Sequence, residues 1–278
     1  MTLFTAVVLG ILGSAIGSFL SVVIHRLKNV KKKKKGIILG KSICPHCKKK
    51  LKWRHLFPVL SFLFLKGKCA YCGKKIGKHY FALEILTAFL FIAAFLNWNF
   101  ILSVPSTIDP STVLYSIDWK VFEVFAFYAI EFSLMAGIFF YDLLYKEIPD
   151  SMSIPAIALG LIAAGIFGTP LYLSILIGLA IIAVFFGGQI LLSKGEWLGG
   201  GDLRIGALLA VLLGWEMTVL ALILGYVLGA IISIYLLLSK KATRKTAIPF
   251  GPFLIIGGLF ALFAGEEIIT MYLNLIGL

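Results

Sequence analysis

Leu3-Phe-Thr-Ala-Val-Val-Leu-Gly-Ile-Leu-Gly-Ser-Ala-Ile-Gly-Ser-Phe-Leu-Ser-Val-Val-Ile24 is an apolar run without a charge, closed by His25, Arg26 and Lys28. A helix needs roughly 20 apolar residues to cross the hydrocarbon core, so this run is long enough to span. Cations follow it and none precedes it, the reverse of a secretory signal, so it reads as a retained first membrane helix. Working outward, comparable runs recur to Leu278 and place helices at about 1–26, 80–97, 119–142, 151–168, 171–193, 203–215, 217–238 and 249–276. The run 203–215 is short for a crossing and reads as partial or tilted. The chain is 60% hydrophobic with a mean hydropathy of +1.01, whereas soluble domains are about 45–50% apolar. The expected fold is an all-α polytopic membrane protein of about eight transmembrane helices with a small cytoplasmic zinc-ribbon-like insert. Its parts are the first helix (1–26), the insert (27–79) and a membrane core (80–278).

The net charge is +13, but 18 of the 26 Lys and Arg lie between Arg26 and Lys78. The positive-inside rule puts that segment in the cytoplasm. Eight crossings then leave both termini outside and bring Lys146, Lys194, Arg204, Lys240, Lys241, Arg244 and Lys245 to the cytoplasmic side, with Lys120 alone opposite. Topology and attraction to anionic lipid, worth about 1 kcal/mol per cation, account for this charge. Membrane lipid is therefore the expected partner and nucleic acid is not. The Lys31–Lys35 run reads as solvated, and residues 98–118, with Pro105 and Pro110, as an external loop.

All four cysteines lie in the insert, as Cys44-Pro-His-Cys47 and Cys69-Ala-Tyr-Cys72, with 21 residues between the pairs. Two such turns facing each other supply four thiolates to a tetrahedral structural zinc. A site closed by four sulfurs leaves no position for a catalytic water, so the metal folds a segment too small to build a core. His46 and His55 lie close by and read as surface residues.

Asp142 closes the third expected helix, in Tyr141-Asp-Leu-Leu-Tyr-Lys-Glu-Ile-Pro-Asp150, and Asp202 opens the sixth, in Gly199-Gly-Gly-Asp-Leu-Arg204. Both fall at one membrane boundary. Adjacent carboxylates hold one proton between them, which suits general acid–base hydrolysis of a peptide without a covalent intermediate. Gly199, Gly200 and Gly201 read as backbone freed for close approach of a substrate strand. Glu84 reads as framing the site from the cytoplasmic border, and Glu131 as a structural hydrogen-bonding group inside its helix. Two rival classes remain, a polytopic transporter and a non-catalytic assembly subunit.

These motifs together resemble the type 4 prepilin peptidase family. The resemblance runs through Gly17-Ser-Phe-Leu-Ser-Val-Val-Ile-His-Arg26, Cys44-Pro-His-Cys47, Leu51-Lys-Trp53, Pro58, Ser61, Gly67, Cys69, Cys72, Tyr80 and Glu84. It continues with Asp142 before Ile148-Pro149-Asp150, with Gly199 to Arg204, and with Pro249-Phe-Gly-Pro252. It implies a membrane aspartyl endopeptidase of the bacterial inner membrane, with Asp142 and Asp202 as the catalytic pair and Asp150 as a helix cap. The implied substrates are prepilin or pseudopilin precursors, cut after a short basic leader at the cytoplasmic face. The resemblance further implies methylation of the new amino terminus from S-adenosylmethionine, for which residues 27–79 show no fingerprint. Ser21, Lys28 and Arg204 depart from the residues usual in the family, which are Asn, Pro and Lys. Arg204 keeps a cation beside the site, to hold substrate backbone or a carboxylate.

Overall fold

The computed structural model describes residues 2–28, 42–99, 101–105, 113–196, 198–243 and 246–276. The Lys31–Lys35 run, Pro110, Arg244 and Lys245 lie outside them. The element order is α1 (Thr2–Lys28), α2 (Leu60–Phe64), α3 (Lys78–Asn97), β1 (Ile101–Pro105), β2 (Val113–Ile117), α4 (Trp119–Tyr145), α5 (Asp150–Phe167), α6 (Tyr172–Ser193), α7 (Gly200–Leu238) and α8 (Gly251–Ile276). Among the described residues seven helices, all but the five-residue α2, are long and apolar enough to cross a membrane. This is a multi-pass membrane protein. Helices prevail because hydrocarbon offers no water to a backbone amide, so each N–H must bond within its own segment.

The chain forms two compact units, Met1–Gly137 and Ile138–Leu278. In the first, α1 lies along α3, with Gly13 of α1 against the Thr87 carbonyl and the Phe91 ring. Small residues let membrane helices approach closely where lipid supplies no hydrophobic drive between them. Residues 98–118 depart from the expected loop: β1 and β2 pair antiparallel, with Ile101 opposite Ile117 and Pro105 opposite Val113. Pairing satisfies amides that no helix there takes up. Glu131 also departs from expectation. It is fully buried in α4, and among the described residues neither carboxylate oxygen has a hydrogen-bond partner.

In the second unit α7 packs on α5, α6 and α8. The expected pair of helices at 203–215 and 217–238 is one element broken at Gly214, whose φ of 73° and ψ of −178° are not helical. A straight helix would hold Asp202 and Tyr226 about 36 Å apart at 1.5 Å per residue, yet the two interact electrostatically. The halves therefore double back at Gly214. Leu209 from one half and Ala221 from the other accordingly reach the adjacent Gly258 and Gly257 of α8. Two bonds close the corner: the Trp215 N–H donates to Ser174 Oγ (3.1 Å) and Thr218 Oγ1 donates to the Gly214 carbonyl (2.5 Å). The first half, 14 residues by number, is about 21 Å long, short of the roughly 30 Å hydrocarbon core.

The Gly214 conformation is open in practice only to glycine, and an added Cβ would meet Ser174 Oγ and come within 3.3 Å of Pro170 Cβ. Gly214→Ala is expected to destabilise the protein by about 1–3 kcal/mol, seen as a lower midpoint of thermal unfolding in detergent. An unchanged midpoint would mean that the corner is not formed this way.

Candidate active site

Asp142 sits one turn before the C-terminus of α4, 5% exposed, where an apolar helix ends and the chain turns at Lys146. That residue adopts a positive φ of 54°, and its N–H returns to the Asp142 carbonyl at 2.7 Å. The Asp142 carboxylate faces the backbone N–H of Gly251, at the start of α8, where the first amides lack helical partners. A Cβ on Gly251 would fall 2.6 Å from Asp142 Oδ2 and 2.7 Å from Ile205 Cδ1. Glycine at 251 is what lets the helix start reach the acid.

Asp202 is the third residue of α7, after the N-cap Gly199. Its carboxylate interacts with the Gly199 N–H and with its own N–H, as an acid at that position does in a capping box. It also lies in the electrostatic field of Asp142. The acid thus serves its helix end and lies within electrostatic range of a second acid at once. Tyr226, from the returning half of α7, lies in the field of Asp202. The Tyr226 hydroxyl donates to Gln189 Oε1 (3.2 Å), while Gln189 Nε2 donates to the Phe185 carbonyl (3.2 Å). Phe250 packs edge-on to Tyr226 at 4.8 Å. The sequence carried no pattern that singled out Tyr226 or Gln189, because each sits alone in an apolar helix.

One expected role changes. Asp150 does not cap α5: Pro149 is the N-cap and makes no side-chain bond, and the Asp150 carboxylate pairs instead with Arg204. A guanidinium is the stronger partner for a carboxylate than a neutral amide. Arg204 is thereby tied to the α4–α5 turn. The glycine triplet is not in left-handed conformation. Gly201 gives up its Cβ to Ile148, whose Cδ1 would lie 2.8 Å away, whereas a Cβ on Gly200 would meet none of the described residues within 4 Å. Glu84 belongs to the first unit, where its Oε2 accepts the Val59 N–H at 2.7 Å and interacts with Ser18. It fastens the insert to α3.

The insert brings Cys44, Cys47, Cys69 and Cys72 together, all four Sγ within 4.8 Å of one another. The two turns are built alike. The Lys48 N–H bonds the Cys44 carbonyl (3.0 Å) and the Gly73 N–H the Cys69 carbonyl (2.9 Å). Each turn closes with a short antiparallel bridge, Ile43 to Lys50 and Lys68 to Lys75, and the residue after each second cysteine, Lys48 and Gly73, has positive φ. A tetrahedron with metal–sulfur bonds of about 2.3 Å has edges of about 3.8 Å, and Cys44 Sγ lies 4.0 Å from Cys72 Sγ. The donor set fits a four-thiolate metal. The Tyr71 N–H, ahead of its neighbours, lowers the Cys69 thiol to about 7, which favours the thiolate a metal requires.

Residues 11–98 match the bacterial peptidase A24 N-terminal domain, and residues 129–234 match the type IV leader peptidase family. A prepilin leader peptidase/N-methyltransferase of Pseudomonas aeruginosa is 30% identical over 96% of this chain and 93% of its own length. One of Legionella pneumophila is 30% identical over 98% and 95%, and one of Bacillus subtilis is 29% identical over 86% and 88%. No solved structure matches the chain. With nearly its whole length aligned at this identity, the chain belongs to the type IV leader peptidase family.

Proposed function

We propose that the protein cuts prepilin or pseudopilin precursors after their short basic leaders, using Asp142 and Asp202 as an acid–base pair. What supports this reading is that two acids at the ends of different apolar helices, α4 and α7, stand within electrostatic range of each other. One carboxylate takes a proton from water, which attacks the scissile carbonyl carbon, and the other protonates the carbonyl oxygen. The tetrahedral adduct collapses as the C–N bond breaks and the departing amine takes up a proton. Gly251 presents an N–H that keeps Asp142 oriented, and the Arg204–Asp150 pair joins the two segments that carry the acids. In this reading the site and the insert face the cytoplasm across the bacterial inner membrane, as the cluster of cations between Arg26 and Lys78 supports. The first helix, the insert and the membrane core then act as three parts, 1–26, 27–79 and 80–278.

The cysteine cluster holds a structural zinc in this reading, through Cys44, Cys47, Cys69 and Cys72. Bound there, zinc crosslinks the two turns of a segment rich in lysine and leaves the peptide chemistry to the carboxylates. The relatives' names include methyl transfer, and S-adenosylmethionine would supply the methyl group for the new amine. Acids often hold ribose hydroxyls, but Glu84 is the first acid in the sequence and is already engaged by Val59 and Ser18. The insert's own residues therefore give that donor no assigned site.

Asp142→Asn and Asp202→Asn are each expected to lower cleavage of a pilin precursor by about 10³-fold or more, followed by mass in detergent with folding retained. Cleavage surviving either change sinks the pair and returns the protein to a binding role. With S-adenosylmethionine present, the wild-type product should gain one methyl mass. Gly251→Ala should lower kcat about tenfold, about 1.4 kcal/mol of barrier, with KM little changed. A wild-type kcat in that variant would mean that Asp142 does not work from this position. Purified protein should contain about one zinc per chain by elemental analysis, and Cys44→Ser with Cys69→Ser should remove it. Full zinc content in the double variant would contradict the site.

A further inference from the structure

Between its two cysteine turns the insert runs His55-Leu-Phe-Pro-Val-Leu-Ser-Phe-Leu-Phe-Leu65. Leu60, Leu63 and Phe64 of α2 are 52%, 56% and 82% exposed, and Phe57 is exposed beside them. So much apolar surface in a few residues marks an interaction face. The opposite face is fixed to α3. Phe62 stacks on Phe81 with ring centres 4.8 Å apart, and the Val59 N–H bonds Glu84 at 2.7 Å. Glu84 lies six residues into α3, about 9 Å along a helix axis, and α3 is long and apolar enough to span. A ridge held at that depth of a spanning helix stands at the bilayer boundary, not in bulk water.

The charge around the ridge points the same way. Lys52, Arg54, Lys66 and Lys68 flank it and are exposed, and no acid precedes Glu84 anywhere in the sequence. An apolar ridge rimmed by cations matches a surface with acyl chains below and anionic headgroups above. The basic leader of a precursor carries the same sign of charge and is repelled by that rim. We propose that α2 and its flanking turns form an interfacial foot. It seats Leu60, Leu63 and Phe64 among the acyl chains of the leaflet that α3 enters at its start. Lys52, Arg54, Lys66 and Lys68 then lie on anionic phospholipid headgroups. This inference rests on the membrane helices and stands whether or not the aspartates are catalytic.

The test uses full-length, zinc-replete protein in nanodiscs of phosphatidylglycerol and phosphatidylethanolamine, with benzoylphenylalanine replacing Phe64 and, separately, Leu63. Illumination is expected to give phospholipid adducts at both positions, in several-fold lower yield in discs of phosphatidylcholine alone. Adducts only to added precursor or to a second copy of the chain would overturn the proposal, as would no adduct from protein that retains its zinc. Equal yields in both discs would strike out the headgroup contacts. Since a probe can unseat α2, hydrogen exchange of the wild type supplies a second measure. Amides of residues 57–66 should exchange several-fold more slowly in anionic than in neutral discs, and equal rates would count against the foot.

Discussion

Hydrocarbon offers a backbone amide no water, and this constraint governs where the protein keeps its chemistry. Each spanning segment closes its hydrogen bonds on itself, so polar function is left to the ends and breaks of helices. Asp142 lies at the end of α4, Asp202 in the first turn of α7, and the N–H that meets Asp142 at the start of α8. The break at Gly214 brings a second stretch of α7 back to the same level, carrying Tyr226. Side chains thus cluster where the backbone itself has unsatisfied groups to offer them.

The two carboxylates show how helix ends hold acids in fixed positions. Asp202 closes its own helix start through Gly199 while lying in the field of Asp142, and Asp142 is steadied by an amide from a helix distant in sequence. An acid held from several directions has little freedom left to lose, and the proposed chemistry would draw on such pre-orientation. The Arg204–Asp150 pair adds a tie between the same two segments. Half in water, it contributes little to stability, and its use lies in alignment.

The helices were legible because lipid imposes a length of about 20 residues on each apolar run, and the two aspartates because charges are scarce in such runs. Cys44, Cys47, Cys69 and Cys72 were legible from spacing alone. What escaped the sequence has physical reasons. The strands Ile101–Pro105 and Val113–Ile117 are too short, in a stretch marked by prolines, to show an alternation. Asp150 occupies a position where capping is usual, but a guanidinium from 54 residues away claims it. The closeness of Gly201 to Ile148, whose side chain leaves no room for a Cβ, is likewise a packing relation that no local pattern announces. Tyr226 and Gln189 look like ordinary occupants of apolar helices until the break at Gly214 sets one against the other. Long-range pairings of this kind leave no local periodicity to read.

The amide of Gly251 bears on how the protein is made. Ribosomes deliver α4 with Asp142 first, then α7 with Asp202, and only afterwards the start of α8 that orients Asp142. Until α8 is in place, the first acid has no amide to steady it and the pair is unfinished. A chain that has not yet completed α8 therefore carries both acids without the amide that steadies the first.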